Sequence, residues 1–188
     1  MSLWGASTAD ESKPKHLSDA EKRDVYATNE GWVKRTTGTG DRANRVHEEI
    51  LVAIGDLSGG TAGTAKLAAG TISSTRFVTP SLGAAAGGAF SVEVIYNEKV
   101  DVTGTPQLTV TNDTPSRNVT LDYASGTGTN RLTFTATVAA DATTAGDVLS
   151  VGANAVTAAG TIKDAGTNTD SARTHSAQAA TTNITVAA

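Results

Sequence analysis

From Phe90 onward the sequence repeats one device: an apolar residue at every second position for a few residues, then a turn. Phe90, Val92, Val94 and Tyr96 alternate with Ser91, Glu93 and Ile95. Leu108 and Val110 alternate in QLTVT, and Val119, Leu121 and Tyr123 in NVTLDY. Leu132, Phe134, Ala136 and Val138 do so in RLTFTATV. Shorter runs follow at Val148, Leu149 and Val151, at Ile162 in GTIKD, and at Ile184 and Val186. A period of two places one set of side chains on one face of a strand. Between the runs stand Thr103–Pro106, Asn112–Pro115, Ser125–Gly128 and Asp164–Gly166, rich in turn-forming residues. About seven short strands at regular spacing predict an immunoglobulin-like β-sandwich. The Ala-rich stretch 138–159 stays open between strand and helix, because Ala favours helices.

Composition sets how thick the core of such a fold can be. Hydrophobic residues make up 38% of the 188 positions, but 31 of them are Ala, and only eight residues are aromatic. Leu, Ile, Val and Phe total 35, a share low enough to suggest disorder if net charge were high; it is only −4. Thr also numbers 31, and its branched β-carbon suits a pleated surface. Such a chain is expected to be an extracellular or virion β-protein with a thin core, not a large enzyme with a deep pocket. The absence of Cys excludes disulfides, thiolate metal sites and a Cys nucleophile. There is no apolar run of 18 residues to cross a membrane as a helix. Met1–Asp10 lacks the features of a secretory signal, so a soluble product made in the cytoplasm is expected. Mild acidity gives no reason to expect nucleic acid or a membrane as partner.

Charge divides the chain. Residues 1–80 hold 10 basic and 10 acidic side chains, whereas 81–188 hold 5 and 9. The low-complexity stretch Ser81–Ala89 marks the boundary, and Ser58–Gly70 is expected to be a flexible connector. In the first part, Ser18 and Glu21 form a capping-box pattern, which predicts a short helix over Asp19–Tyr26. Gly31–Arg35 and Val46–Leu57 are expected as strands able to pair as a small hairpin. Too little apolar surface remains here for a free-standing domain. Residues 1–80 are therefore expected to form an extended arm that anchors on a partner, and 81–188 the sandwich.

Two stretches carry a resemblance. KPKHLSDAEKRDVYATNEGWV and EEILVAIGDLSG, between Lys13 and Gly59, resemble virion structural proteins of tailed phages that infect marine cyanobacteria. VIYNEKVDVTGTPQLTVTN, YASGTGTNRLTFTATV and AAGTIKDAGTNTD resemble a bacterial Ig-like repeat of large surface and motility proteins. The resemblance implies a structural role on the virion and brings no catalytic residues. A head decoration (cement) protein is the first expectation. It would contact the major capsid protein and neighbouring copies of itself, as a homo-oligomer on the phage head surface. A tail or neck component and an adhesin module binding host surface glycan are the alternatives. The glycan reading is weakened because the loops near Gly126 and Asp164 lack the aromatic residues on which sugars stack.

No constellation points to catalysis. His16, His47 and His175 are scattered, and no zinc, nucleophile-elbow or phosphate-loop pattern occurs. Asp164, Asn168 and Asp170 form the best candidate cation loop, with oxygen ligands suited to Ca²⁺. Glu98 and Asp101 join it if the loop folds beside them. The competing reading is an ordinary polar turn, and no cofactor is expected. Trp4, Tyr26, Trp32, Ile50, Val52 and Ile54 are the candidate contact residues of the arm, because large buried side chains dominate interfaces. Against this, Trp32 also suits packing under its own hairpin. Tyr96, Tyr123 and Phe134 are expected in the sandwich core.

Overall fold

The alternating runs become strands, and the protein is mainly β. The computed structural model describes residues 12–38, 45–58, 66–67, 69–157, 159–174 and 183–188. A short helix, α1 (Asp19–Lys22), precedes β1 (Val25–Thr28), β2 (Gly31–Thr37), β3 (Val46–Ala53) and β4 (Ile72–Phe77). There follow β5 (Gly88–Gly104), β6 (Gln107–Asn112), β7 (Val119–Ser125), β8 (Thr129–Val138), β9 (Val148–Val156), β10 (Gly160–Asp164) and β11 (Ile184–Thr185). The Ala-rich stretch left open by propensity is a loop followed by β9.

Hydrogen bonding joins the strands in the order β11-β9-β6-β7-β8-β5-β1-β2-β3, with β4 and β10 also paired to β5. The seventeen residues of β5 are the spine. Its first part pairs antiparallel with β8 and β4, and its last part with β10. Phe90 and Val94 of β5, Leu108 of β6, Leu121 of β7, Leu132 of β8, Leu149 of β9 and Ile162 of β10 share one buried cluster. Strands far apart in the order thus enclose the same core, so the open sheet curls back on itself. Tyr96 and Phe134 are fully buried in that cluster, and Tyr123 packs against it, edge-on to Phe134 at 5.9 Å between ring centroids. At the turn before β8, a Cβ on Gly126 (φ 118°) would lie 2.0 Å from the Arg131 carbonyl oxygen, so only glycine fits.

Residues 12–58 differ from the expected extended arm: their described part is folded and docked. The helix stops at Lys22 because Val25 and Tyr26 enter β1 instead. Its cap is as the sequence implies, with Glu21 N–H donating to Ser18 Oγ and Ser18 N–H to Glu21 Oε2. Strand β1 pairs antiparallel with β2, and β2 with β3. Leu17, Val25, Ala27, Trp32 and Leu57 form a second apolar cluster. A parallel contact, Ala27 opposite Glu98, ties β1 to β5. The outward face of β5 is covered there, since Ile95 is fully buried and Glu93 nearly so. Arg131 of β8 bonds the Asp24 carboxylate and the Arg23 carbonyl, with Glu93 3.6 Å from its guanidinium. The larger sheet also begins before the Ser81 boundary, because β4 belongs to it.

Buried Asp147 fixes the loop ahead of β9. Its carboxylate accepts from Asn112 Nδ2, Thr114 Oγ1 and Thr144 N–H, each at 2.8 or 2.9 Å. Those bonds, the Asn112 amide first, hold its acid below the ordinary value of 3.8. A depressed acid stabilises the fold above that value and loses its contribution as pH falls through it, because the unfolded chain takes up the proton first. Asp147→Asn is therefore expected to lower the urea midpoint at pH 7. The gap from wild type should narrow as pH falls below 3.8. A pH-independent gap would refute the assignment.

Candidate functional site

The β2–β3 hairpin projects from the body. Gly31, Trp32 and Val33 are buried, but exposure rises along β2 until Thr36 and Thr37 are open, and Val46–Ile50 of β3 are exposed throughout. Among the described residues β3 is also the last strand of its sheet, so one of its backbone edges is unpaired. Among the described residues, Val46 and Ile50, each 47% exposed, are two of the three large apolar residues left open; the third is Val78.

A bulge decides which side chains this hairpin shows. Alternation in the sequence places Ile50, Val52 and Ile54 on one face. The register instead slips between Trp32 and Val33, so that Trp32 opposes Val52 while Val33 opposes Ile50. Neighbours on β2 point to opposite faces, and the extra residue, Leu51, therefore separates Ile50 from Val52. Val52 and Ile54 pack on the small cluster with Trp32. Ile50 lies on the other face with Val33 and, across β2, Tyr26.

That second face carries a polar brace. Tyr26, itself buried, donates its hydroxyl to Glu48 Oε1. Lys99 of β5 places its ammonium 3.7 Å from Glu48 and 5.3 Å from the Tyr26 ring centroid. Burial, and then the Glu48 bond, push the Tyr26 phenol well above its usual range, so it remains a neutral donor. On the first face Lys13 sits 5.5 Å from the Trp32 ring centroid and donates to the Lys22 carbonyl at 3.0 Å. Burial, assisted by the Lys22 charge, lowers the Lys13 amine to about 8. Of the residues expected to contact a partner, Tyr26 and Trp32 are thus committed internally, Val52 and Ile54 half-committed, and Ile50 open. Trp4 lies outside the described residues. Val46, the first residue of the expected Val46–Leu57 strand, is not among the contact residues the sequence singles out.

The 164–170 loop is held by its own bonds. The Asp164 carboxylate accepts from Gly166 N–H at 3.0 Å, from Thr167 N–H at 3.2 Å and from Thr167 Oγ1 at 2.5 Å. Asn168 takes the left-handed conformation (φ 58°) common in tight turns. Asp170 is exposed, with Lys163 Nζ 3.9 Å away. This is the arrangement of a polar turn, whose principal carboxylate is already occupied by three donors. Among the described residues no group of three or more His, Asp or Glu side chains gathers as for a metal ion. His16 and His47 are exposed and apart, and His175 lies outside the described residues. No described helix is long and apolar enough to cross a membrane.

Comparison with family models, with curated proteins and with solved structures gives no match for this chain.

Proposed function

We propose that this protein is a non-enzymatic structural component of a phage virion, a head decoration protein that clamps the outer capsid lattice. The observation that carries the proposal is the projecting β2–β3 hairpin, with Val46 and Ile50 exposed on an unpaired edge. An exposed aliphatic pair on a rigid edge suits strand addition or packing against a protein partner, and edge strands left open in this way are otherwise an association hazard. The major capsid protein is the proposed partner, with neighbouring copies of the chain completing the contact. Each copy would bury area across a joint of the lattice. Binding to the assembled lattice, but not to dispersed subunits, stabilises the lattice by mass action.

The finer fold proposed is an immunoglobulin-like sandwich for residues 72–188. What supports this reading is the order β11-β9-β6-β7-β8-β5, one continuous path in which β6 also pairs with β7, and whose distant strands share one buried cluster. Gly83 beside Ala187, in parallel, adds the crossing of the first strand from one sheet to the other.

The test is co-sedimentation of the purified chain with capsids lacking it. Val46→Asp/Ile50→Asp leaves both apolar clusters untouched and should retain the far-ultraviolet spectrum. Its capsid occupancy should fall at least about tenfold, the equivalent of about 1.4 kcal/mol. Undiminished occupancy would sink the hairpin contact, and electron density for the chain at the tail would sink the head assignment. Deletion of residues 1–57 is a less clean test, since it also uncovers Ile95 and Glu98.

A further inference from the structure

Where the N-terminal sheet meets β5 and the loop after β10, a cleft of about 290 Å³ is lined by Thr28, Asn29, Ser58, Lys99, Asp164 and Gly166. Beside Lys99 lies Glu98, a carboxyl with no exposed surface, directly opposite Ala27 of β1. One of its oxygens, Oε2, meets Ser58 Oγ. Ser58 arrives with the N-terminal unit, its N–H donating to the Thr28 carbonyl at 3.2 Å. The other oxygen, Oε1, is buried and has no hydrogen-bond partner among the described residues. Asp164, also buried, stands opposite Val100, on the same face of the β5–β10 pair as Glu98. A diagonal cross-strand neighbour of like charge lies within interaction reach.

Among the described residues, the charges around Glu98 offer no compensation. From β10 comes Asp164, an acid. From the segment after β3 comes Ser58, which is neutral, and β1 contributes Ala27 and Thr28. The adjacent Lys99 turns its ammonium to Glu48 and Tyr26, on the alternate face of β5. A carboxylate here would be a second buried negative charge beside Asp164 with one oxygen unsatisfied, a costly state. A neutral acid avoids it.

We propose that Glu98 is a proton-gated latch: its carboxyl is neutral while the N-terminal sheet is docked on β5, and its ionisation loosens that docking. Burial, opposed by the Ser58 bond and aided by Asp164, raises the acid from 4.5 to about 7. When the sheet lifts away, water reaches Glu98 and its acid returns toward the ordinary value. Docking therefore takes up a proton between these two limits. Its contribution is whole below pH 4.5, declines as pH rises, and is lost through pH 7. This sign is opposite to that of Asp147, and it acts on the junction instead of the larger sheet.

The test is amide hydrogen exchange on the full chain at pH 5 to 8, expressed as protection factors. Amides of residues 25–28 and 97–99 report the junction, and those of Val92 and Phe134 the larger core. Junction protection should fall on the order of 50- to 100-fold across this range, while the core stays level. Glu98→Gln keeps the shape without the ionisation and should flatten the profile, holding acid-side protection at pH 8. A flat wild-type profile, or a slope that survives in the Gln variant, would overturn the latch. Ser58→Ala supplies an independent arm should the Gln variant fold poorly. Loss of the bond that favours the carboxylate should move the midpoint of the wild-type decline to higher pH. A contact that merely fills space would leave that midpoint in place, and such a result would also count against the proposal.

Discussion

Trp32→Ala is expected to unfold the N-terminal sheet while the larger sheet stays folded. The indole is 3% exposed and is the largest member of a cluster with Leu17, Val25, Ala27 and Leu57. Truncating a buried aromatic residue costs about 3–5 kcal/mol in transfer and cavity terms. Leu17, Val25 and Leu57 pack around it, with Val52 and Ile54 partly buried against them, and all of these lose contacts with the indole. The Lys13 ammonium also loses the ring beside it. Exchange of the β1 and β2 amides should rise to near unprotected rates while β6 to β9 amides stay slow. Local opening well below the global transition is the general behaviour of weakly packed units. Simultaneous loss of both sets of amides would instead show that the two clusters unfold as one.

Phe134→Ala should have the contrary outcome, loss of the whole fold. The ring is fully buried, opposes Val92 on one side and Tyr123 on the other, and makes an edge-on contact with Tyr123. Its cost is again about 3–5 kcal/mol, set against a total stability that for ordinary domains is about 5–15 kcal/mol. The denaturant midpoint should drop sharply, with the slope unchanged if unfolding stays two-state. A loss below about 1 kcal/mol would mean that the core closes around the gap, contrary to ordinary packing behaviour.

How far the sequence announces this structure depends on where burial is one-sided. Phe90–Tyr96 and Leu132–Val138 alternate cleanly because one face meets the core, and there period and structure agree. Strand β4 leaves no such trace: ISSTRF has apolar residues only at its ends, and its buried position is Thr75. It forms because the edge of β5 offers a ladder, which is a tertiary cause. The Leu51 bulge is equally silent, since nothing local distinguishes an unpaired residue in an aliphatic run. It alone sends Ile50 outward and Val52 inward. Tyr26 and Trp32 show the same limit. Large aromatic residues predict burial, but the sequence does not say whether the burying surface belongs to this chain or to another. The turn at Asp164 was legible through its Asp-Ala-Gly opening. Glu98 was legible only as a neighbour of that loop, because a carboxylate in a strand gives no sign of being enclosed.

The position at which β1 touches β5 has a mechanical consequence. Force applied to the tip of the hairpin enters the larger sheet at Ala27–Glu98 and at the Arg131–Asp24 pair. Both points lie inside the sheet, away from its free ends. The long β5 strand is flanked by β4, β8 and β10, so their hydrogen bonds share the load along the strand and are not peeled one at a time. A molecule pulled by its hairpin should therefore yield first at the small junction, with the larger sheet intact behind it as a spring-loaded base that can re-engage once the tension drops.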